Sequence, residues 1–406
     1  MKVVVVGSGG REHALADVLG RTASEVLVTP GNPGIPGSVA TPATELDADL
    51  FVIGPEVPLV DGLADALRAQ GKLVFGPGAD GAQLEGSKAY MKELLVAAGV
   101  PTAAHGAFTE VEPALNFLAT MEAPFVIKTD GLAAGKGVLV TDDRSAAEAA
   151  VHEYLSGDAF GDAGRTVVIE EGLTGPEVSV FAICDGTKAV AMAPAQDHKR
   201  VGDGDAGPNT GGMGAYTPLP WADPGLVDMV MSSCIEPTLA ELQRRGIDYR
   251  GVLYAGLMLT PNGPKMLEYN VRFGDPETQV VLPRIESDLC QLLAEAAAGN
   301  IESAPQFSDD SLVIVVCASE GYPVSARTGD VIDGLAAARD LDGVSVYAAG
   351  VKTNDDGALI TGGGRVLSVV GRGPTMADAI ERAYAGVAEI SWSGMHHRGD
   401  IAHQAR

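Results

Sequence analysis

Three short runs, apolar throughout but for the lysine that opens the first and each breaking off into a glycine loop, constrain this chain more than any other feature. Residues 2–6 run into Gly7-Ser-Gly-Gly, residues 50–53 into Gly54-Pro, and residues 73–75 into Gly76-Pro. A strand with one wet face alternates apolar and polar residues, whereas a strand apolar on both faces belongs in a sheet covered on both sides. Between the first run and a further strand at 26–29, residues 11–19 have a helical pattern. Buried strands joined by helices indicate a parallel sheet. Such sheets bind ligands in the loops at the carboxyl ends of their strands, here 7–11, 30–34 and 54–58.

Ser87, followed by an apolar-striped segment that ends at Gly99 and Pro101, predicts a helix over 87–98. It opens a second region, 86–295, in which strands at 125–128 and 138–141 flank glycine-rich turns. A last region, 296–406, carries strands at 312–317, 344–348 and 365–370 and a helix over 375–388. The expected architecture is therefore mixed α/β and α+β. An N-terminal parallel-sheet domain (1–85) precedes a central domain of two α+β subdomains (86–295) and a C-terminal mixed α/β domain (296–406). No internal repeat or low-complexity linker is visible.

With 54 acidic against 28 basic residues the net charge is −26, which argues against nucleic acid or an anionic membrane as partner. Any anionic ligand must then rely on a few concentrated cations, so a Lys or Arg inside a motif gains weight. Cys184, Cys234, Cys290 and Cys317 lie far apart without a Cys-x-x-Cys spacing, as expected of buried thiols in a cytoplasmic protein. The apolar start is too short for a signal peptide, and nothing approaches a membrane span. His396-His397 reads as a solvated pair on a polar tail.

Glu268, Asn270 and Arg272 alternate along an expected strand over 265–273 and so share one face. A carboxylate and an amide oxygen make a hard-metal ligand pair, and the guanidinium beside them is a phosphate fork. Lys128, Gly131 and Gly135-Lys136-Gly137 sit in a strand–turn–strand that can close over phosphates. It is no Walker A loop, because Gly rather than Ser or Thr follows the lysine. Glu170 and Glu177 lie at strand ends, where acceptors can take an adenine amino group or a ribose diol. Two further runs, Gln196-Asp197-His198-Lys199-Arg200 and Gly207-Pro-Asn209-Thr210-Gly211-Gly-Met-Gly, concentrate charge and glycine and suit an anion; His198 has no paired acid and is not read as a general base. Gly7-Ser-Gly9-Gly10-Arg11-Glu12 fails the dinucleotide fingerprint, since Glu12 stands at its third glycine; it is read as the phosphate loop of a second substrate.

Taken together these motifs resemble the ATP-grasp ligases. Pro30-Gly-Asn32, Gly54-Pro-Glu56, Leu84-Glu-Gly-Ser-Lys88, Asp130-Gly-Leu-Ala-Ala-Gly-Lys-Gly, Gln196-Asp-His-Lys and Arg272-Phe-Gly-Asp275-Pro-Glu-Thr-Gln are similar to the phosphoribosylamine–glycine ligase (glycinamide ribonucleotide synthetase) family. The resemblance covers nearly the whole chain and implies a central ATP-grasp domain. It implies ATP-dependent ligation of glycine to 5-phosphoribosylamine through glycyl phosphate, in purine biosynthesis, by a cytoplasmic monomer. By the same resemblance ATP is contacted by Lys88, Lys128, Glu170, Leu173 and Glu177, with Gly131, Gly135, Lys136 and Gly137 over its phosphates. Mg²⁺ or Mn²⁺ is held by Glu268 and Asn270, and Arg272 and Lys136 stabilise the transferring phosphoryl group. The substrates fall to Gly9, Gly10, Arg11, Asn32 and Glu56, to Asp197, Lys199, Asn209, Thr210 and Gly211, and to Asp275. Two departures stand out. Residues 33–49 replace a longer segment, so the first domain is expected to lack one crossover helix, and Pro176 replaces a glutamate before Glu177. The alternatives are another ATP-grasp carboxylate–amine ligase and a catalytically inactive nucleotide-binding homologue.

Overall fold

The computed structural model describes residues 1–132, 137–156 and 165–405. The apolar runs form a four-stranded, all-parallel sheet in the order Glu25–Pro30, Lys2–Gly7, Leu50–Ile53, Val74–Phe75. Val3, Val4 and Val5 are fully buried, as two-faced coverage requires. Helix Gly10–Leu19 joins the first two strands in sequence. The next connection, from Pro30 to Leu50, contains no α-helix, only a 3₁₀ turn at Ala43–Glu45. Pro33, Pro36 and Pro42 each lack a backbone donor, which disfavours a helix there. The segment runs along the sheet edge instead: Val28 N–H donates to Gly37 O at 2.9 Å, and Val39 N–H donates to Val28 O at 2.9 Å. Gly37 has φ +78°, and a Cβ there would stand 2.5 Å from the Val26 carbonyl, so only glycine fits.

Helix Lys88–Ala98 begins as its cap dictates: the Ser87 hydroxyl accepts the Tyr90 N–H, and Gly99 ends the helix at φ +71°. Beyond it stand two antiparallel sheets. The smaller orders His105–Phe108, Val167–Glu171, Phe125–Thr129 and Val138–Thr141, and has a separate core built from residues such as Leu118, Ile127, Val151 and Ile169. The larger orders Ala189–Ala191, Glu177–Asp185, Arg250–Thr260 and Gly263–Asn270.

A five-stranded sheet follows, ordered Gln196–Asp197, Gly214–Thr217, Ser311–Ala318, Arg365–Gly373, Val344–Ala348. Its first two strands come from before residue 296, so this sheet stitches the central region to the last one. Helix Met376–Glu389 packs on it, with Thr375 and Asp378 forming a capping box. The tail differs from its expected solvated state. Arg398 is 1% exposed, with Asp205 and Asp400 each 2.7 Å away, and His396 pairs through its backbone with Ala318. A polar tail can be buried when its charges are neutralised in place. The four cysteines are free and buried, and no described helix is long and apolar enough to cross a membrane.

Candidate active site

The three regions meet around a cleft of about 360 Å³. Helix Lys88–Ala98 supplies one wall. Lys88 faces the cleft and donates to Gly131 O at 2.7 Å, while Asp130 accepts the Ala89 N–H at 3.1 Å and the Ser87 hydroxyl at 3.0 Å. The hairpin entrance is thereby tied to the helix N-terminus. Gly131 and Gly137 line the cleft; Gly135 and Lys136 lie outside the described residues.

Glu268 and Asn270 also line the cleft. Their strand carries a bulge: Gly256 pairs with Glu268 while the next residue, Leu257, pairs with Met266, leaving Leu267 as the extra residue. The strand ends at Asn270, short of the expected 273, because the chain turns there. Arg272 therefore reaches the cleft from a turn and not by alternation. Among the described residues neither Glu268 nor the Asn270 side chain has a hydrogen-bond or ion-pair partner within the protein. Two free oxygen donors facing a cleft fit a hard divalent cation whose remaining ligands are phosphates and water. No cluster of three or more His, Cys, Asp or Glu able to hold a metal occurs among the described residues, so a protein-only metal cage is not what these residues build.

Arg272 is clamped: its Nε lies 3.2 Å from Glu56 and its Nη2 2.7 Å from Glu85. The two carboxylates hold the guanidinium firmly charged in spite of its burial. Burial pushes the Glu85 carboxyl up, with Arg272 opposing. Burial acts the same way on Glu56, but Arg272 and Arg11 outweigh it and hold that carboxyl low.

Asp197 and Lys199 face the cleft from the run beginning at Gln196. Lys199 pairs with Glu177 and stands 3.7 Å from Asp197. Burial pushes the Asp197 carboxyl well above the ordinary carboxylate range despite Lys199. Thr210 and Gly211 line the same side, Thr210 fixed by donating its N–H to Lys199 O at 2.7 Å. Asn209 is exposed and outside the cleft lining. His198 is buried and accepts the Ala402 N–H at 3.2 Å, a structural role that agrees with its not being read as a base.

The glycine loop after the first strand differs from its expected use. Gly9 N–H donates to the Glu12 carboxylate at 2.6 Å, and that carboxylate fills the space a Cβ on Gly7, Gly9 or Gly54 would need. A negative charge already occupies the mouth of the loop. Gly10 is likewise buried against Gln279 and Ser368. Asn32 is spent inside the fold, donating to Ser8 O at 2.8 Å and accepting from Gly34 N–H at 2.8 Å. Arg11, Glu56 and Asp275 do line the cleft.

Lys128 and Glu170 lie behind it, buried and paired at 2.8 Å. Leu173 and Glu177 are half-buried and outside its lining. Five further residues went unrecognised in sequence, among them Glu85, which holds Arg272. Lys92, 1% exposed, stands 2.9 Å from Glu170; its signal was a lysine four residues after Lys88 within an otherwise apolar stripe. Tyr254 and Glu277 form a buried hydrogen bond of 2.6 Å in the cleft wall. Arg365 enters from the last sheet, and no local pattern marks it.

Comparison with known proteins places this geometry in context. Three family models of phosphoribosylglycinamide synthetase match consecutive parts of the chain: the N domain at 1–85, the ATP-grasp (A) domain at 86–278 and the C domain at 312–404. A phosphoribosylamine–glycine ligase of Streptomyces coelicolor is 48% identical over 424 residues, covering 100% of this chain and 99% of the relative. Its counterpart from Escherichia coli O157:H7 is 47% identical over 424 residues, covering 100% and 99%. Among solved structures, a phosphoribosylamine–glycine ligase of Thermotoga maritima superposes with TM-score 0.86 at 34% identity, over 98% of this chain and 100% of the other. A biotin carboxylase of Campylobacter jejuni, TM-score 0.71 at 14% identity over 98% and 92%, shares the fold.

Proposed function

We infer the activity from one premise: the chain belongs to the phosphoribosylglycinamide synthetase family. It is an ATP-dependent ligase that joins glycine to 5-phosphoribosylamine, giving glycinamide ribonucleotide, ADP and phosphate in purine biosynthesis. The observation that carries the residue-level reading is the pair of oxygen donors, Glu268 and Asn270, that have no partner among the described residues and face a cleft whose other walls hold Lys88, Lys199 and Arg272.

In this reading a glycine carboxylate oxygen attacks the γ-phosphorus of ATP and ADP leaves. The phosphoribosylamine nitrogen then attacks the carbonyl of the resulting glycyl phosphate and phosphate departs. No enzyme nucleophile is needed, so the residues position and neutralise. Lys88 and Lys128 serve the nucleotide phosphates, with Gly131–Gly137 and Lys136 above them, and Glu170, Leu173 and Glu177 serve the nucleoside. Glu268 and Asn270 hold Mg²⁺ or Mn²⁺, which when bound neutralises phosphate charge. Arg272, rigid between Glu56 and Glu85, faces the charge that develops on the transferring group. Glycine is a zwitterion and needs a cation and a hydrogen-bond acceptor close together; Lys199 and the Asp197 carboxyl stand 3.7 Å apart, and an arriving glycine ammonium would oppose the rise that burial causes at Asp197. The division at 85 and 295, a cytoplasmic setting and a monomeric state belong to the same proposal.

The test is ADP release from the purified chain. Release must require both glycine and phosphoribosylamine; release driven by bicarbonate or D-alanine would assign the chain to another ATP-grasp ligase.

A further inference from the structure

The activity proposed above requires a site for the phosphate monoester of the second substrate, and the glycine loop is a poor one because Glu12 already takes its Gly9 N–H. The cleft's cations differ in how far the fold has used them. Arg272 gives Nε to Glu56 and Nη2 to Glu85. Lys199 is committed to Glu177, and Lys88 to the Gly131 carbonyl. Arg11 gives Nε to Glu12 and Nη1 to Phe273 O.

Arg365 is different. Among the described residues a single nitrogen, Nη1, makes all its hydrogen bonds and ion pairs: Gly211 O at 2.6 Å, Asp275 O at 2.8 Å and the Asp275 carboxylate at 3.4 Å. Nε and Nη2 have no partner among the described residues, and the side chain lines the cleft at 23% exposure. Its plane lies against Gly211, where a Cβ would come within 3.0 Å of Cζ. The guanidinium is thus anchored at one corner, on a residue that lines the cleft, with Nε and Nη2 uncommitted among the described residues, the arrangement that suits a two-point grip on a phosphate.

Asp275 marks the other side of this corner. A Cβ on Gly9 would lie 3.6 Å from its Oδ2, so the glycine loop reaches the same place. Burial raises the Asp275 carboxyl, but Arg365 and then Arg11 more than offset this and hold it low. Two guanidiniums, one from the last region and one from the first, therefore act on one carboxylate.

We propose that Arg365 binds the phosphate of a ribosyl phosphate in the cleft that Arg11 also lines, and that Asp275 accepts a ribose hydroxyl. The last region thereby contributes directly to recognition of the second substrate as well as to packing. This rests on the activity proposed above.

The probe is ribose 5-phosphate, which cannot react, titrated calorimetrically against the full chain with ribose as control. The wild-type chain should bind ribose 5-phosphate better than ribose, and Arg365→Met should weaken the phosphate ligand about tenfold or more with ribose unaffected. Arg365→Lys, which keeps the charge without the fork, should fall between and guards against a misfolded Met variant; a chain in which Lys and Met bind ribose 5-phosphate as tightly as wild type overturns the proposal. Unchanged ribose 5-phosphate affinity with reduced turnover would reduce Arg365 to a clamp on Gly211. ADP release is measured alongside. Its failure in the wild type would sink the ligase assignment, while the calorimetry still decides the phosphate site.

Discussion

The Lys92 ammonium stands 2.9 Å from one carboxylate oxygen of Glu170, and Lys128 stands 2.8 Å from the other. All three side chains are buried, so two cations share one anion away from water. Burial depresses Lys92 to about 8, Glu170 opposing. Burial raises Glu170, but Lys128 and Lys92 outweigh it and keep the carboxyl low. The surplus positive charge is tolerable if an anion arrives, and it sits directly behind the cleft.

Lys92→Met should therefore act twice. It leaves Glu170 with one cation, which costs about 2 kcal/mol of stability, read from the urea midpoint. It should also weaken ADP binding about tenfold, read by calorimetry. An unaltered midpoint would mean that Lys128 alone satisfies Glu170.

Glu268→Ala tests the metal pair. The side chain is exposed and has no partner among the described residues, so its loss should leave the thermal midpoint unchanged. Turnover should fall on the order of 10²-fold or more, and the Mg²⁺ concentration for half-activation should rise. Near wild-type turnover would place the metal elsewhere.

Arg272→Lys replaces a fork that serves two carboxylates with a point charge that serves one. Glu85, which burial already pushes up with Arg272 opposing, should then be pushed up further. The expected result is at least a tenfold loss in kcat with a smaller change in the KM for ATP. An equal rise in KM at constant kcat would make Arg272 a ground-state binder instead.

How much of this was legible depends on where each signal resides. Glu268 and Asn270 were readable because both lie within one strand, where a period of two shows a shared face. The parallel sheet was readable because its runs are apolar on both faces, and the missing crossover helix because prolines cluster between 33 and 42. Arg365, Glu85 and Glu277 were not, since their role arises only when distant elements meet at Arg272 and Asp275. The tail was misread for the same reason: Arg398 is buried by Asp205, almost two hundred residues away in the chain, and local composition cannot report that pairing.

Protonation of two buried histidines should set the acid limit of the fold. His198 accepts the Ala402 N–H and His13 accepts the Ala348 N–H at 2.8 Å. Burial depresses each to about 4, assisted by Arg398 at His198 and Arg339 at His13. Asp205 and Asp400 oppose the shift at His198 without cancelling it. In the unfolded chain both titrate near 6.5, so between pH 6.5 and 4 the unfolded state binds more protons. Their contribution is thus fully present above about pH 6.5 and lost as the pH falls through that window, on the order of 3 kcal/mol for each by pH 4. His198→Gln keeps an acceptor but cannot titrate, so its urea midpoint should fall less steeply from pH 7 to 5 than that of the wild type. Because His198 lies between Asp197 and Lys199 in the chain, the wild type should also lose kcat/KM for glycine over this range more steeply than the variant. If a His13→Gln/His198→Gln double variant keeps the full wild-type slope, the acid sensitivity comes from other groups.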